Sequence, residues 1–128
     1  MQLSQLNAIS PLDGRYRRHT SALSPLLSEF GLIHHRVEVE VKYFIELVEQ
    51  PLPQLAAFPK DKLSAMHGLY ENFSVENAQR IKDLEASTNH DVKAVEYWIK
   101  EEIEKLGLSE WSEFVHFGLT SQDINNTA

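Results

Sequence analysis

The segment Gly14-Arg15-Tyr16-Arg17-Arg18-His19 packs three arginines and a histidine into six residues. A guanidinium presents a rigid fork of donors that fits carboxylate or phosphate, so the segment can form a local anion site. Read alone, it is more readily a solvated basic turn. Farther along, Asn89-His90-Asp91 stands between two amphipathic stretches, where a helix begins. An Asn or Asp beside an imidazole can orient its ring, and the start of a helix favours negative charge. Near the end, His116 precedes Thr120-Ser121, whose hydroxyls meet the free N–H groups of another helix start. Thr120 and Asp91 read equally well as plain N-caps, and an N-cap position is also a place for an anion. His34 and His35 are neighbours, so on a helix they point about 100° apart and do not easily share a metal. These two and His67 read as structural, and no metal site is expected.

These groups need helices to hold them. Ser10-Pro11-Leu12-Asp13-Gly14 has turn chemistry, and Ser24-Pro25 reads as an N-cap followed by proline at the first helical position. The stretch Val37-Glu38-Val39-Glu40-Val41 alternates like a strand. A wider window overrules it: Ile33, Val37, Val41, Phe44, Ile45 and Val48 recur at helical spacing, predicting a helix over about 32–50 that ends at Pro51 and Pro53. A second helix follows Pro59 with Leu63, Met66, Leu69, Tyr70 and Phe73 inward. Ser74 caps a third, carrying Ala78, Ile81 and Leu84. The chain breaks at Ser87-Thr88-Asn89-His90-Asp91, and a fourth helix covers about 92–106, stopped by Gly107. Residues 111–118 are aromatic-rich and unassigned. Thr120-Ser121-Gln122-Asp123 has the form of a capping box with Asp in place of the usual Glu. The expected class is all-α.

Composition narrows the function. Hydrophobic residues make up 42% and charged residues 24%, as in a soluble globular chain. The net charge of −7 argues against a general nucleic-acid partner. Cysteine is absent, which removes disulfides and thiolate metal sites. No apolar run approaches the roughly 18–20 residues that span a bilayer, so no membrane partner is expected. The opening Met1-Gln2-Leu3-Ser4-Gln5 lacks the basic start and apolar stretch of a signal peptide, which makes the cytoplasm the expected compartment. There is no phosphate-binding glycine loop, no Gly-x-Ser-x-Gly elbow and no His-Glu-x-x-His pair.

Three segments together carry a sharper signal: Ser10-Pro11-Leu12-Asp13-Gly14-Arg15-Tyr16, Thr88-Asn89-His90-Asp91-Val92-Lys93-Ala94-Val95 and His116-Phe117-Gly118-Leu119-Thr120-Ser121-Gln122-Asp123-Ile124. In order and spacing they resemble the N-terminal region of the adenylosuccinate lyases, within the fumarase/aspartase superfamily. The resemblance extends over essentially all 128 residues. Its most specific part is residues 88–94, where argininosuccinate lyases and fumarases carry different sequences.

The resemblance implies an all-α N-terminal domain over 1–119, with 120–128 opening the first helix of a central helical domain. It implies cofactor-free β-elimination of fumarate from adenylosuccinate, giving AMP, and from succinylaminoimidazole-carboxamide ribotide. These small molecules are the expected partners, together with further copies of the chain in a homotetramer. By motif, Arg15 and Tyr16 contact the phosphoryl end of the substrate. Asn89, His90 and Asp91 line the site near the succinyl group, with His90 in a supporting catalytic role. Thr120 and Ser121 bind a succinyl carboxylate, and His116 faces the substrate. Arg17 and Arg18 fall outside the motif. The family's general base, a serine on a mobile loop, and its general acid, a histidine, have no counterpart within these residues. The competing reading is a helical binding module that keeps the scaffold without the chemistry.

Overall fold

The computed structural model describes residues 4–128, and the reading of Met1, Gln2 and Leu3 lies outside them. Among the described residues every regular element is helical. The helices are α1 (Arg17–Thr20), α2 (Ser24–Leu27), α3 (Glu29–Glu49), α4 (Leu63–Glu71), α5 (Val75–Thr88), α6 (Asp91–Lys105) and α7 (Ser121–Thr127). Short 3-10 turns occupy Ser21–Leu23, Pro53–Leu55, Lys60–Lys62 and Ser109–Phe114. The chain forms two compact units, Met1–Leu32 and Ile33–Ala128.

In the first unit, residues 10–16 wind into a turn. The Ser10 carbonyl accepts from the N–H groups of Asp13 and Gly14, and the Tyr16 N–H donates to the Pro11 carbonyl at 2.9 Å. A side chain at Gly14 would meet the Gln5 carbonyl oxygen at 2.8 Å, so only glycine lets the turn close this tightly. The Thr20 hydroxyl fastens the turn to α1 by donating to the Leu12 carbonyl at 2.8 Å. Ser24 is the first residue of α2 and not its cap; Leu23 occupies the cap position with no side-chain bond. The serine that caps is Ser28, in extended backbone, whose hydroxyl accepts from Gly31 N–H at 3.2 Å and starts α3 at Glu29, earlier than the apolar periodicity predicts.

In the second unit, α3 supplies the core wall. Val37, Val41, Phe44, Ile45 and Val48 are buried along one face, as their spacing predicts. Also buried are Val92, Val95, Trp98, Ile99 and Ile103 of α6 and Ala78 and Ile81 of α5, which packs on α6. Each fully buried aliphatic side chain here contributes about 1.5–3 kcal/mol of transfer free energy. On α4 only Met66 is buried; Leu63, Leu69 and Tyr70, and Phe73 just beyond the helix, are half-buried. The Phe73 ring meets Trp98 edge-on, with centroids 5.3 Å apart. The unassigned aromatic stretch begins as a 3-10 turn whose Trp111 packs edge-on against Phe58 at 5.3 Å, and Phe58 in turn meets Phe44.

Helix ends follow local chemistry closely. Ser74 caps α5 in a reciprocal box with Asn77. Gly107 adopts φ +77, and the bonds from Gly107 N–H to Glu104 and from Leu108 N–H to Ile103 close α6 in a Schellman motif. The break between α5 and α6 is narrower than the sequence predicts. Thr88 is still helical, Asn89 is left-handed at φ 52, and α6 begins at Asp91.

Candidate active site

The arginine cluster sorts itself by partner. Arg17 pairs with Asp13 one turn earlier. Arg18 Nε donates to His19 Nε2 at 2.9 Å. Arg15 lies 5.2 Å over the Tyr16 ring, and among the described residues no carboxylate engages it. Both Arg15 and Tyr16 are exposed. Of the three arginines, the one in the motif is the one that makes no hydrogen bond among the described residues, whereas Arg17 and Arg18 each commit one nitrogen.

The other candidates belong to the second unit. His90 is the N-cap of α6: its Nδ1 accepts from Lys93 N–H at 3.2 Å, in extended backbone. That bond needs the Nδ1 lone pair, so the neutral ring carries its proton on Nε2. Asp91 does not orient the ring as the sequence suggests. Its Oδ1 stands 3.7 Å from His90 Nδ1, beyond hydrogen-bond reach, and accepts instead from Val92 N–H. Its Oδ2 accepts from Arg36 at 2.8 Å. Burial pushes the Asp91 carboxyl up, but the Val92 N–H and the charges of Arg36 and His90 outweigh it and hold it below its ordinary value. Asn89 is exposed and supplies the left-handed turn that redirects the chain.

His116 occupies an unusual backbone position. Its φ is +61, a left-handed conformation that a non-glycine residue keeps only where its surroundings enforce it. Two side chains of α3 do so. Tyr43 donates its hydroxyl to the Phe117 carbonyl at 2.9 Å, and Glu40 Oε1 bonds to His116 Nδ1 at 2.5 Å. Glu40 is fully buried, and its Oε2 has no hydrogen-bond partner among the described residues. Burial raises the Glu40 carboxyl above its ordinary value; His116 counteracts this in part and the charge of Glu96 adds to it.

At the start of α7 the predicted capping box is present. Both donors of Thr120 turn to Asp123: its N–H lies 2.7 Å and its hydroxyl 2.8 Å from Oδ2. These two bonds, the backbone one first, hold the Asp123 carboxyl below its ordinary value. The protein's own carboxylate therefore sits where the sequence places an incoming one, and Ser121, half-buried at the first helical position, is the hydroxyl not held in this box.

Helix α3 joins these segments. Arg36, only 8% exposed, donates from Nη2 to Asp91 and from Nε to Asn125 of α7 at 2.9 Å. Glu40, one turn on, holds His116. Arg36 and Glu40 escape the sequence reading because charged residues between apolar ones on a helix read as its solvated face, and Asn125 escapes it because its partner Arg36 is far away in sequence. The signal available in the sequence is that Val37 to Val41 places Glu40 beside core positions on both sides. His34 of α3 bonds to the Tyr70 carbonyl of α4, and His35 and His67 bond within their own helices to Glu38 and the Tyr70 hydroxyl. Among the described residues no group of three or more His, Asp or Glu side chains is arranged to hold a metal ion.

A family described as "Lyase" matches residues 14–128. The chain belongs to the lyase family. Adenylosuccinate lyase of Dictyostelium discoideum is 50% identical to this lyase chain over 132 aligned positions, covering all of the chain and 28% of the relative. Adenylosuccinate lyase of Escherichia coli strain K12 is 46% identical over 98% of the chain, and that of Legionella pneumophila strain Corby 45% identical over all of it. In each case the lyase chain spans 28% of the relative's length. All three candidate segments fall within the region aligned with the Dictyostelium relative, and the family match runs from Gly14 through the last of them.

Proposed function

We propose that this chain is the N-terminal portion of an adenylosuccinate lyase. Its reaction is the β-elimination of fumarate from adenylosuccinate, giving AMP, and from succinylaminoimidazole-carboxamide ribotide in purine biosynthesis. The observation that carries the reading is the 45–50% identity to adenylosuccinate lyases along the whole chain, candidate segments included. In this reading residues 1–119 form the N-terminal domain and 120–128 begin the central one. The enzyme is a cytoplasmic homotetramer, and the reaction takes no cofactor.

The chemistry needs a proton removed beside a succinyl carboxylate, transient charge on that carboxylate, and a proton delivered to the departing nitrogen as the C–N bond breaks. Electrostatic support comes from donors aimed at the developing charge. Arg15, with Tyr16, binds the phosphoryl group through its available guanidinium. Asn89, His90 and Asp91 border the succinyl group, and His90 offers Nε2–H as an oriented donor while Nδ1 caps α6. Ser121 meets a succinyl carboxylate directly, and Thr120 does so by releasing Asp123. His116 faces the substrate from its enforced turn. The base and the acid come from residues beyond this chain.

The test is to incubate adenylosuccinate with the full-length polypeptide and to quantify AMP and fumarate. Equimolar products are expected. A folded protein that binds adenylosuccinate and releases neither product is the binding-module outcome and refutes the assignment.

A further inference from the structure

We propose that Glu40 is a positioning residue for His116: it fixes the imidazole through Nδ1 and so dedicates Nε2 to the substrate. The inference rests on the functional reading only in naming what Nε2 meets; the hold of Glu40 on the ring stands on geometry alone.

A buried carboxylate without compensating hydrogen bonds is costly. Glu40 is fully buried and its Oε2 has no hydrogen-bond partner, so the bond from Nδ1–H to Oε1 is the one compensation it receives among the described residues. Releasing the ring would strand the carboxylate, which pins the ring as firmly as the carboxylate is buried. The backbone adds a second constraint. His116 is held left-handed, Gly118 beside it has φ +74, and Tyr43 ties the intervening Phe117 carbonyl to the same helix that carries Glu40. Ring and main chain are thus both referred to α3. The side chain of His116 is 17% exposed, and among the described residues nothing bonds its Nε2. A neutral histidine with its proton on Nδ1 presents a lone pair at Nε2, and a protonated one presents a donor there. In both states the carboxylate fixes which nitrogen faces outward. An acceptor at Nδ1 that sets ring orientation and tautomer is the way a buried carboxylate assists a working histidine without touching substrate.

The experiment uses the full-length polypeptide and the variants E40Q, E40L, H116Q and E40L/H116Q. Adenylosuccinate cleavage is measured alongside magic-angle-spinning 15N spectra of histidine-labelled protein, with the His116 signals assigned by their loss in H116Q. E40L is expected to lower kcat/KM about 10- to 100-fold, the usual cost of removing a group that orients a histidine. E40Q, whose amide oxygen still accepts from Nδ1, should stay within several-fold of wild type. In the H116Q background E40L should cost almost nothing further, because its effect passes through the ring. The spectra should show a protonated Nδ1 in wild type and E40Q, and a shift to the Nε2–H form in E40L. An equal loss from E40L with and without His116 would make Glu40 a core residue only and overturn the proposal. A wild-type ring protonated solely at Nε2 would overturn it as well, and that measurement needs no turnover. A folded full-length protein that cleaves nothing sinks the functional reading instead, while the spectra still decide whether Glu40 holds the ring.

Discussion

Replacing His90 separates its two assigned tasks. Its Nδ1 accepts the Lys93 N–H at 3.2 Å and caps α6, while Nε2–H is the donor assigned to the substrate. Asparagine is among the best N-cap residues, so His90→Asn preserves the first task and removes the second. Alanine removes both. An N-cap bond is worth about 1 kcal/mol, within a range of roughly 0.5–2. The His90 side chain is 49% exposed, so little apolar burial is lost in either variant. Hydrogen exchange at the Lys93 amide should therefore be close to wild type in His90→Asn and faster by about fivefold in His90→Ala, which is what 1 kcal/mol amounts to. Both variants should lose about 10²-fold in kcat for adenylosuccinate cleavage by the full-length polypeptide, as loss of an oriented donor in the transition state does. The two readouts should thus dissociate: activity falls in both, helix protection in one. If His90→Asn keeps wild-type kcat while His90→Ala loses activity in step with helix protection, His90 is a cap and nothing more.

Three further outcomes follow from the same geometry. Arg36→Met releases Asp91 and Asn125; because Asp91 is 43% exposed and screened by solvent, the loss should be about 1–3 kcal/mol, read from the urea midpoint, and an unchanged midpoint would show the clamp to be idle. The carboxyl of Glu40 is raised in the folded state, so the stability it contributes is complete below its ordinary value and fades as pH climbs through the raised one. Glu40→Gln does not titrate, so its stability relative to wild type should improve steadily from acidic to neutral pH in urea unfolding; parallel pH curves would contradict the direction of the shift. Arg15→Ala should raise KM for adenylosuccinate about 10-fold or more while largely sparing kcat, since a contact to the phosphoryl end is nearly equal in ground and transition states; unchanged KM with a collapsed kcat would place Arg15 at the other end of the substrate.

Local rules made much of the fold legible. Ser74 with Asn77, Thr120 with Asp123, and Gly107 each mark a helix end through bonds among residues three to five positions apart, so the sequence contains both partners close together. The apolar stripe of α3 overruled the strand-like alternation of Val37 to Val41 because a helix face is set over several turns. What stayed hidden depends on partners far along the chain. Glu40 and His116 are 76 positions apart, and Arg36 and Asp91 are 55 apart, so no local pattern distinguishes these charges from solvated ones. The same distance effect misdirects the reading of Asp91, whose nearest neighbour in sequence is His90 but whose bonded partner is Arg36. At Ser24, a serine before proline has the right composition for a cap, yet Ser28 takes that role because it is the residue in extended backbone. For the site, motif order identified the segments, and the structure added the helix that holds two residues of them, Asp91 and His116, together with Asn125 just past the last segment.

If this chain is the N-terminal portion of an adenylosuccinate lyase, Arg15, His90 and His116 each contact the substrate of the assembled enzyme. The most direct test is a crystal structure of the full-length polypeptide with AMP and fumarate bound. Expected are Arg15 on the phosphoryl group, His116 with Nδ1 on Glu40 and Nε2 toward the ligand, and His90 and Ser121 bordering the fumarate. Ligand bound in a cleft that none of these side chains reaches would contradict it.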